Sequence, residues 1–366
     1  MSAVSAFFDD GRDPLLGGRL SQLPHGVPND LGSTRLHPGN DAANQVIIDA
    51  NDRFAQIAAL YKDTLVKPVL QKALTGDRDF DLRTLNELRD DSIFATSEQL
   101  RKIIEKAKEQ NPLLNSLDLE HFASLHKQIS IYVAELMVGE KEPQSHLRKD
   151  GKHHVIAHPL DVVLLAVERS APSIKSVQDL YSVMLVAQFH DCIEDCKQGH
   201  DFARKRIQRI LKHEGVEHSL AESVLKQVEI LTIKLTSISS SSVDSQTKSF
   251  DPIPWARKIA GYEYLLNGKH QVTEEYFESL RLKADDCLGN SLDLLERLQK
   301  ADSSDNPLVV SQILATAQAY IFLCEGLLEK GDEFLASAVQ RAKHALELNQ
   351  CVVERYSDRT PLIIIQ

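Results

Sequence analysis

Four ionisable residues, His190, Asp191, Glu194 and Asp195, close the stretch YSVMLVAQFHDCIEDC at residues 181–196. At about 100° per residue, a continuous helix would project all four side chains within an arc of roughly 140°. The residues before them, Tyr181, Val183, Met184, Leu185, Val186, Ala187 and Phe189, are apolar on nearly every side, which predicts a helix buried among other helices. Its polar end then lies in or beside a core. Charge there is costly unless paired or coordinated, and a divalent cation is the simplest compensation for three carboxylates and one imidazole. The stretch predicts a metal site.

Two other segments carry residues of the same kind. Upstream, SHLRKDGKHHVIAH (145–158) leads into Pro159 and an apolar helix, which places His158 in the first turn behind a basic loop of Arg148, Lys149, Lys152, His153 and His154. Such a loop can hold phosphates, helped by the helix dipole, or it can be a solvated turn. Downstream, Asp286 and Asn290 share one face of a long helix that begins at Thr273, a threonine cap followed by Glu274 and Glu275. An acid buried in that seam needs a partner, whereas Asp285 beside it is expected to face solvent. His121 and His126 stand five residues apart, a poor spacing for two ligands of one ion, and read as ordinary polar or half-buried residues.

The rest of the chain has to position these groups. With 366 residues it can bury a large core, and its net charge of −11 argues against a general binder of nucleic-acid backbones. The cysteines, Cys192, Cys196, Cys287, Cys324 and Cys351, are too scattered for a disulfide framework and suit a reducing, cytoplasmic setting. Cys192 and Cys196 are not expected to act as thiolate ligands. No secretory signal or membrane-spanning run is read, so a soluble protein is expected. Residues 1–41, rich in Gly, Pro, Asp, Ser and Asn, read as a flexible arm, and 42–117 as a helical region broken at Pro68 and Gly76. Within it, TSEQ at 96–99 reads as a capping box that opens a helix over 96–110. A helix over 118–138 follows, and 237–252 is a serine-rich insertion. Residues 301–366 read as a helical hairpin with a break near Gly331, although Gly326, Ala338 and Ala345 also fit one tetratricopeptide unit. The apolar tail Leu362 to Ile365 leaves docking on the chain itself or on a second copy, as a homo-oligomer, both open.

A histidine before a proline-containing first turn, then HDCIED at 190–195, then KADDCLGN at 283–290, resembles the HD metal-dependent phosphohydrolase superfamily. The pattern is most similar to the hydrolase domain of the RelA/SpoT-like alarmone enzymes and their small hydrolase-only relatives. The resemblance covers roughly residues 118–300. It implies an all-α HD-domain bundle, with extra N-terminal helices and a C-terminal hairpin around it. It also implies metal ligation by His158, His190, Asp191 and Asp286, catalysis by Glu194 and Asp195, and substrate contacts from Arg148, Lys149, Lys152 and Asn290.

Two imidazoles and two carboxylates with open positions suit Mn²⁺ and could hold Fe²⁺ or Zn²⁺. Such an ion acidifies water and neutralises charge on a phosphoryl oxygen, and Glu194 is spaced to take the water's proton. The expected substrate is a phosphorylated nucleotide, first a (p)ppGpp-type alarmone losing its 3′-pyrophosphate. Synthesis is not expected from the short segment after residue 300. DCLGNSLD stands where the family segment reads close to DRLHNMRT, so Cys287, Gly289, Leu292 and Asp293 replace residues that help shape a guanosine pocket. This keeps two alternatives in view: the same chemistry on another nucleotide, and a degenerate HD fold that binds nucleotide or serves as a scaffold.

Overall fold

The computed structural model describes residues 41–65, 82–138, 146–148, 153–196, 198–232, 253–267, 273–304, 307–330 and 336–356. Expectations for residues 1–40, Pro68, Gly76, Lys149, Lys152, the insertion 237–252, Gly331 and the tail 362–365 lie outside them. The described residues form an all-α fold whose one β feature is an isolated bridge between Leu147 and His154.

In chain order the helices are α1 (Asp41–Tyr61), α2 (Leu82–Lys108), α3 (Leu119–Val138), α4 (Ala157–Ser170), α5 (Val177–Phe189) and the single turn α6 (Cys192–Asp195). There follow α7 (His200–His213), α8 (His218–Leu231), α9 (Ile253–Asn267), α10 (Glu274–Ser304), α11 (Pro307–Glu329) and α12 (Ala336–Arg355). Their ends follow local chemistry. Asp118 Oδ1 accepts from the His121 amide to start α3, and Ser176 with Asp179 forms a reciprocal capping box at α5. Thr273 Oγ1 accepts from the Tyr276 amide at the start of α10.

The TSEQ expectation fails. Thr96 lies inside α2 and is buried, and Ser97 Oγ donates back to the Ile93 carbonyl at 2.9 Å. The apolar face that runs upstream through Leu85, Leu88 and Ile93 holds those turns in the helix, so tertiary burial overrides a local capping signal. The helix over 181–196 also departs from expectation. It ends at Phe189, and His190 and Asp191 form a corner before α6.

Packing divides the apolar interior into two large clusters. One joins α2 to α8, and the other joins α1 with α9 to α12. The α11–α12 hairpin therefore shares a core with α9, α10 and the N-terminal α1. Helices α4 and α10 stitch the clusters together: Leu165 of α4 packs in the second and Leu282 of α10 in the first. Gly326 of α11 permits a close helix approach, because a Cβ there would lie 2.2 Å from Leu266 Cδ1 of α9. By length and composition, Val310–Glu329 of α11 could span a membrane, in contrast to the sequence expectation, but most of that stretch is buried within the protein.

Candidate metal centre

The centre sits on the seam between the two clusters. His158 comes from the first turn of α4, His190 from the residue that ends α5, and Asp286 from the middle of α10. All three are buried, and one ligand atom from each lies within 4.8 Å of the others. They form a group that can hold a metal ion.

Helix α4 brings His158 inside because its residues from Ala157 to Val167 are all buried, so even the first-turn histidine enters the core. His190 is oriented by its own helix: Nδ1 lies 2.7 Å from the Ala187 carbonyl, which can only accept, so Nδ1 carries a proton. Nε2 is thereby turned inward, 3.0 Å from Asp191 Oδ2 and 3.6 Å from Asp286 Oδ1. His158 Nε2 approaches the same carboxylates, at 3.0 Å from Asp286 Oδ1 and 3.6 Å from Asp191 Oδ2. The two rings meet edge to face, with centroids 5.2 Å apart.

The electrostatics call for positive charge at this point. Burial lowers the pKa of His190, but Asp191 and then Asp286 overcome it and raise the imidazole well above its usual value. Burial opposes ionisation of Asp286, yet Lys283 and the two histidines hold its carboxyl well below the carboxylate range. Asp191 is likewise lowered, against burial, chiefly by His190. His190 Nε2 is buried without a well-formed hydrogen bond. Two imidazole nitrogens converging on two carboxylates, one of them lacking a sound hydrogen bond, fit a divalent cation of N/O preference.

Around this group, Asn290 Nδ2 donates to Asp286 Oδ1 at 2.8 Å and Lys283 Nζ to Asp286 Oδ2 at 2.5 Å. Asn290, expected near the nucleotide, is thus also bonded to Asp286. Arg148 Nη2 lies 2.7 Å from Asp293 Oδ2, two turns along α10 from Asp286. Glu194, on α6, is half-buried. Burial pushes its carboxyl up to about 7, Asp191 adds to the rise, and Lys283 and Lys258 oppose it. The α6 backbone includes Asp195, whose side chain is not among those described.

His153 and His154 are buried, and burial, followed by His146 and Arg89, lowers His154 to about 3. His154 Nδ1 accepts from the Ile156 amide at 3.2 Å, so this ring helps to form the turn into α4 as a neutral group. Cys192 and Cys196 are buried and do not belong to the candidate metal group. His126 is buried in a polar network with Ser97 and Ser130, to which Gln188 adds a bond with the Ser130 hydroxyl.

Asp285 corrects the sequence reading. It is fully buried, Arg169 Nε lies 2.8 Å from its Oδ2, and Arg341 Nε lies 3.7 Å from its Oδ1. Sequence reasoning also missed Lys258 of α9, whose charge acts on Glu194; a lone lysine among the other polar residues of that helix gave no signal. Comparison with family models, with curated proteins and with solved structures returns no match.

Proposed function

We propose that this chain is an HD-type metal-dependent phosphohydrolase acting on a phosphorylated nucleotide, with the 3′-pyrophosphate of a (p)ppGpp-like alarmone as the leading substrate. The observation that carries this reading is the convergence of His158, His190 and Asp286 from three helices within 4.8 Å, with Asp191 beside both imidazoles. A divalent ion held there, Mn²⁺ by its fit to mixed nitrogen and oxygen donors, supplies polarisation of a phosphoryl oxygen and a lowered pKa for water.

The protein's own groups do the rest. Glu194, with its pKa near neutrality, is suited to take a proton from the attacking water and pass it on. Lys283 and Asn290 fix the two oxygens of Asp286, which keeps a ligating carboxylate from rotating. Arg148, held by Asp293, offers guanidinium hydrogen bonds to a second phosphate. In the proposed reaction the water oxygen bonds to phosphorus, the bond from phosphorus to the 3′ oxygen breaks, and that oxygen takes up the proton. GDP and pyrophosphate leave.

One observation favours a second reading, in which the same chemistry serves a nucleotide other than guanosine. Asp293, at a position the resembling family uses to shape its guanosine pocket, is engaged with Arg148. Product analysis of purified protein with Mn²⁺ and ppGpp tests the first reading: pyrophosphate and GDP from the wild type, and none from Asp191→Ala. Turnover of other nucleoside phosphates, with ppGpp untouched, would replace it by the second.

A further inference from the structure

The residues of the centre come from two sides of a seam. His158 of α4, and His190 and Asp191 at the end of α5, stand on helices that pack against each other in the first cluster, whereas Asp286 stands on α10. How α4 lies along α10 therefore sets the distance from the imidazoles to Asp286. Metal affinity depends on that distance, because ligand bonds hold to within about 0.2 Å.

Between His158 and Arg169 the seam is smooth. Gly289 of α10 faces this stretch: a Cβ there would lie 3.6 Å from Leu165 Cδ1, 3.8 Å from Val162 Cγ2 and 3.9 Å from His158 Cε1. With no side chain at Gly289 to lodge between Val162 and Leu165, apolar contact draws the helices together without fixing how far one slides along the other.

The described polar contacts between α4 and α10 lie at the two ends of the stretch. At one, His158 Nε2 is 3.0 Å from Asp286 Oδ1 and 3.4 Å from Asn290 Nδ2. At the other, Arg169 Nε donates to Asp285 Oδ2 at 2.8 Å, with side chains only 4% and 0% exposed. His158 and Arg169 are about 20° apart around α4 and about 16 Å apart along it, so both reach α10 from one face. The same turn of α4 is held from a third helix, where Arg341 Nη2 of α12 meets Glu168 Oε2 at 2.7 Å. A charged hydrogen bond shielded from water is strong and directional, so this end supplies the register that the smooth stretch lacks.

We propose that Arg169, through Asp285, is a positioning residue of the metal centre: it holds α4 in the register that keeps His158 and His190 at binding distance from Asp286. This rests on the metal-binding part of the phosphohydrolase reading and adds to it a residue outside the ligand group. Charge alone predicts the opposite effect, since taking a guanidinium away from Asp285 favours a cation at the neighbouring Asp286.

Calorimetric titration of the full-length protein with Mn²⁺ tests this without any nucleotide. Arg169→Gln weakens Mn²⁺ binding about tenfold. Arg169→Lys, which keeps the charge but sets its nitrogen one bond farther from the helix than Nε, falls between that variant and the wild type. The visible absorption of Co²⁺ bound in place of Mn²⁺ reports ligand geometry, and its bands shift in both variants. A folded Arg169→Gln protein that binds Mn²⁺ as tightly as the wild type, or more tightly, overturns the positioning role. Should that variant fail to fold, Arg169→Lys decides: wild-type affinity together with an unshifted Co²⁺ spectrum overturns the role. A wild type that binds neither ion removes the metal reading and this role with it. Arg169-dependent Mn²⁺ binding in a protein that turns over no nucleotide upholds the role and overturns the hydrolase reading.

Discussion

Asp285 and Asp286 are neighbours on α10, both buried and both partnered, yet they face different chemistry. Asp285 points to Arg169 of α4 and Arg341 of α12. Around it, Arg341 Nη2 bonds Glu168 Oε2 at 2.7 Å, Thr64 Oγ1 donates to Glu168 Oε1 at 2.7 Å, and the Arg341 guanidinium stacks over Tyr61 of α1. This network joins the N-terminal α1, the central α4 and the C-terminal α12. Arginine does not lose its proton and its planar fork is geometrically demanding, so such a pairing is a lasting strut. Asp286 instead meets imidazoles and a lysine amine, groups that exchange protons and yield to a metal ion. The partner set separates a strut from a chemical site where burial alone does not.

The comparison is sharpest at its chemical side. Glu194→Gln is expected to lower turnover by about 10²–10⁴-fold while leaving metal content intact, since it removes a proton-accepting group and no ligand. Asp191→Ala is expected to abolish metal binding and turnover together. Turnover assays paired with metal analysis check both, and activity retained in both variants would sink the assignment. On the structural side, Asp285→Ala leaves Arg169 buried without its carboxylate and Arg341 with Glu168 alone, and should cost about 3–5 kcal/mol in chemical denaturation. A loss of activity with unchanged stability would erase the distinction between the neighbours.

A pH experiment probes the network behind His190. Burial, with a smaller contribution from Lys127, lowers His126 from 6.5 to about 3. Between those values the unfolded chain binds a proton that the folded protein does not. Stability from this group is therefore complete above pH 6.5 and lost as pH falls towards 3, at about 1.4 kcal/mol per pH unit. Denaturation of His126→Gln over that range should show a slope shallower by that amount. The smallest expected effect lies farthest from the chemistry. Gly326→Ala presses on Leu266 and should cost about 1–3 kcal/mol, read as a lower thermal midpoint with ligand binding retained.

The ligand types were legible because chemistry-bearing residues interrupt apolar periodicity. His190 and Asp191 end a run that no surface helix would carry, and His158 sits just before Pro159 at the start of a helix with the apolar run Val162 to Val167. The 140° arc gave the right neighbourhood for His190 and Asp191 by an incomplete route, since the helix turns a corner at those residues. Thr96 and Ser97 misled because a capping box is a local signal, and the buried face of Leu85, Leu88 and Ile93 outweighed it.

The sequence by itself determined that the chain is helical, which stretches are apolar enough to be interior, and which side chains could ligate a cation. Periodicity reports the face a residue occupies on its own helix, and residue type reports what it can bind. Neither reports what stands across from it. Only tertiary packing set Arg169 and Arg341 against Asp285, His158 and His190 near Asp286, and Lys258 and Tyr262 beside Lys283. Most of these partners come from helices remote in sequence, and their contacts are fixed by how α4, α9, α10 and α12 pack into two joined cores.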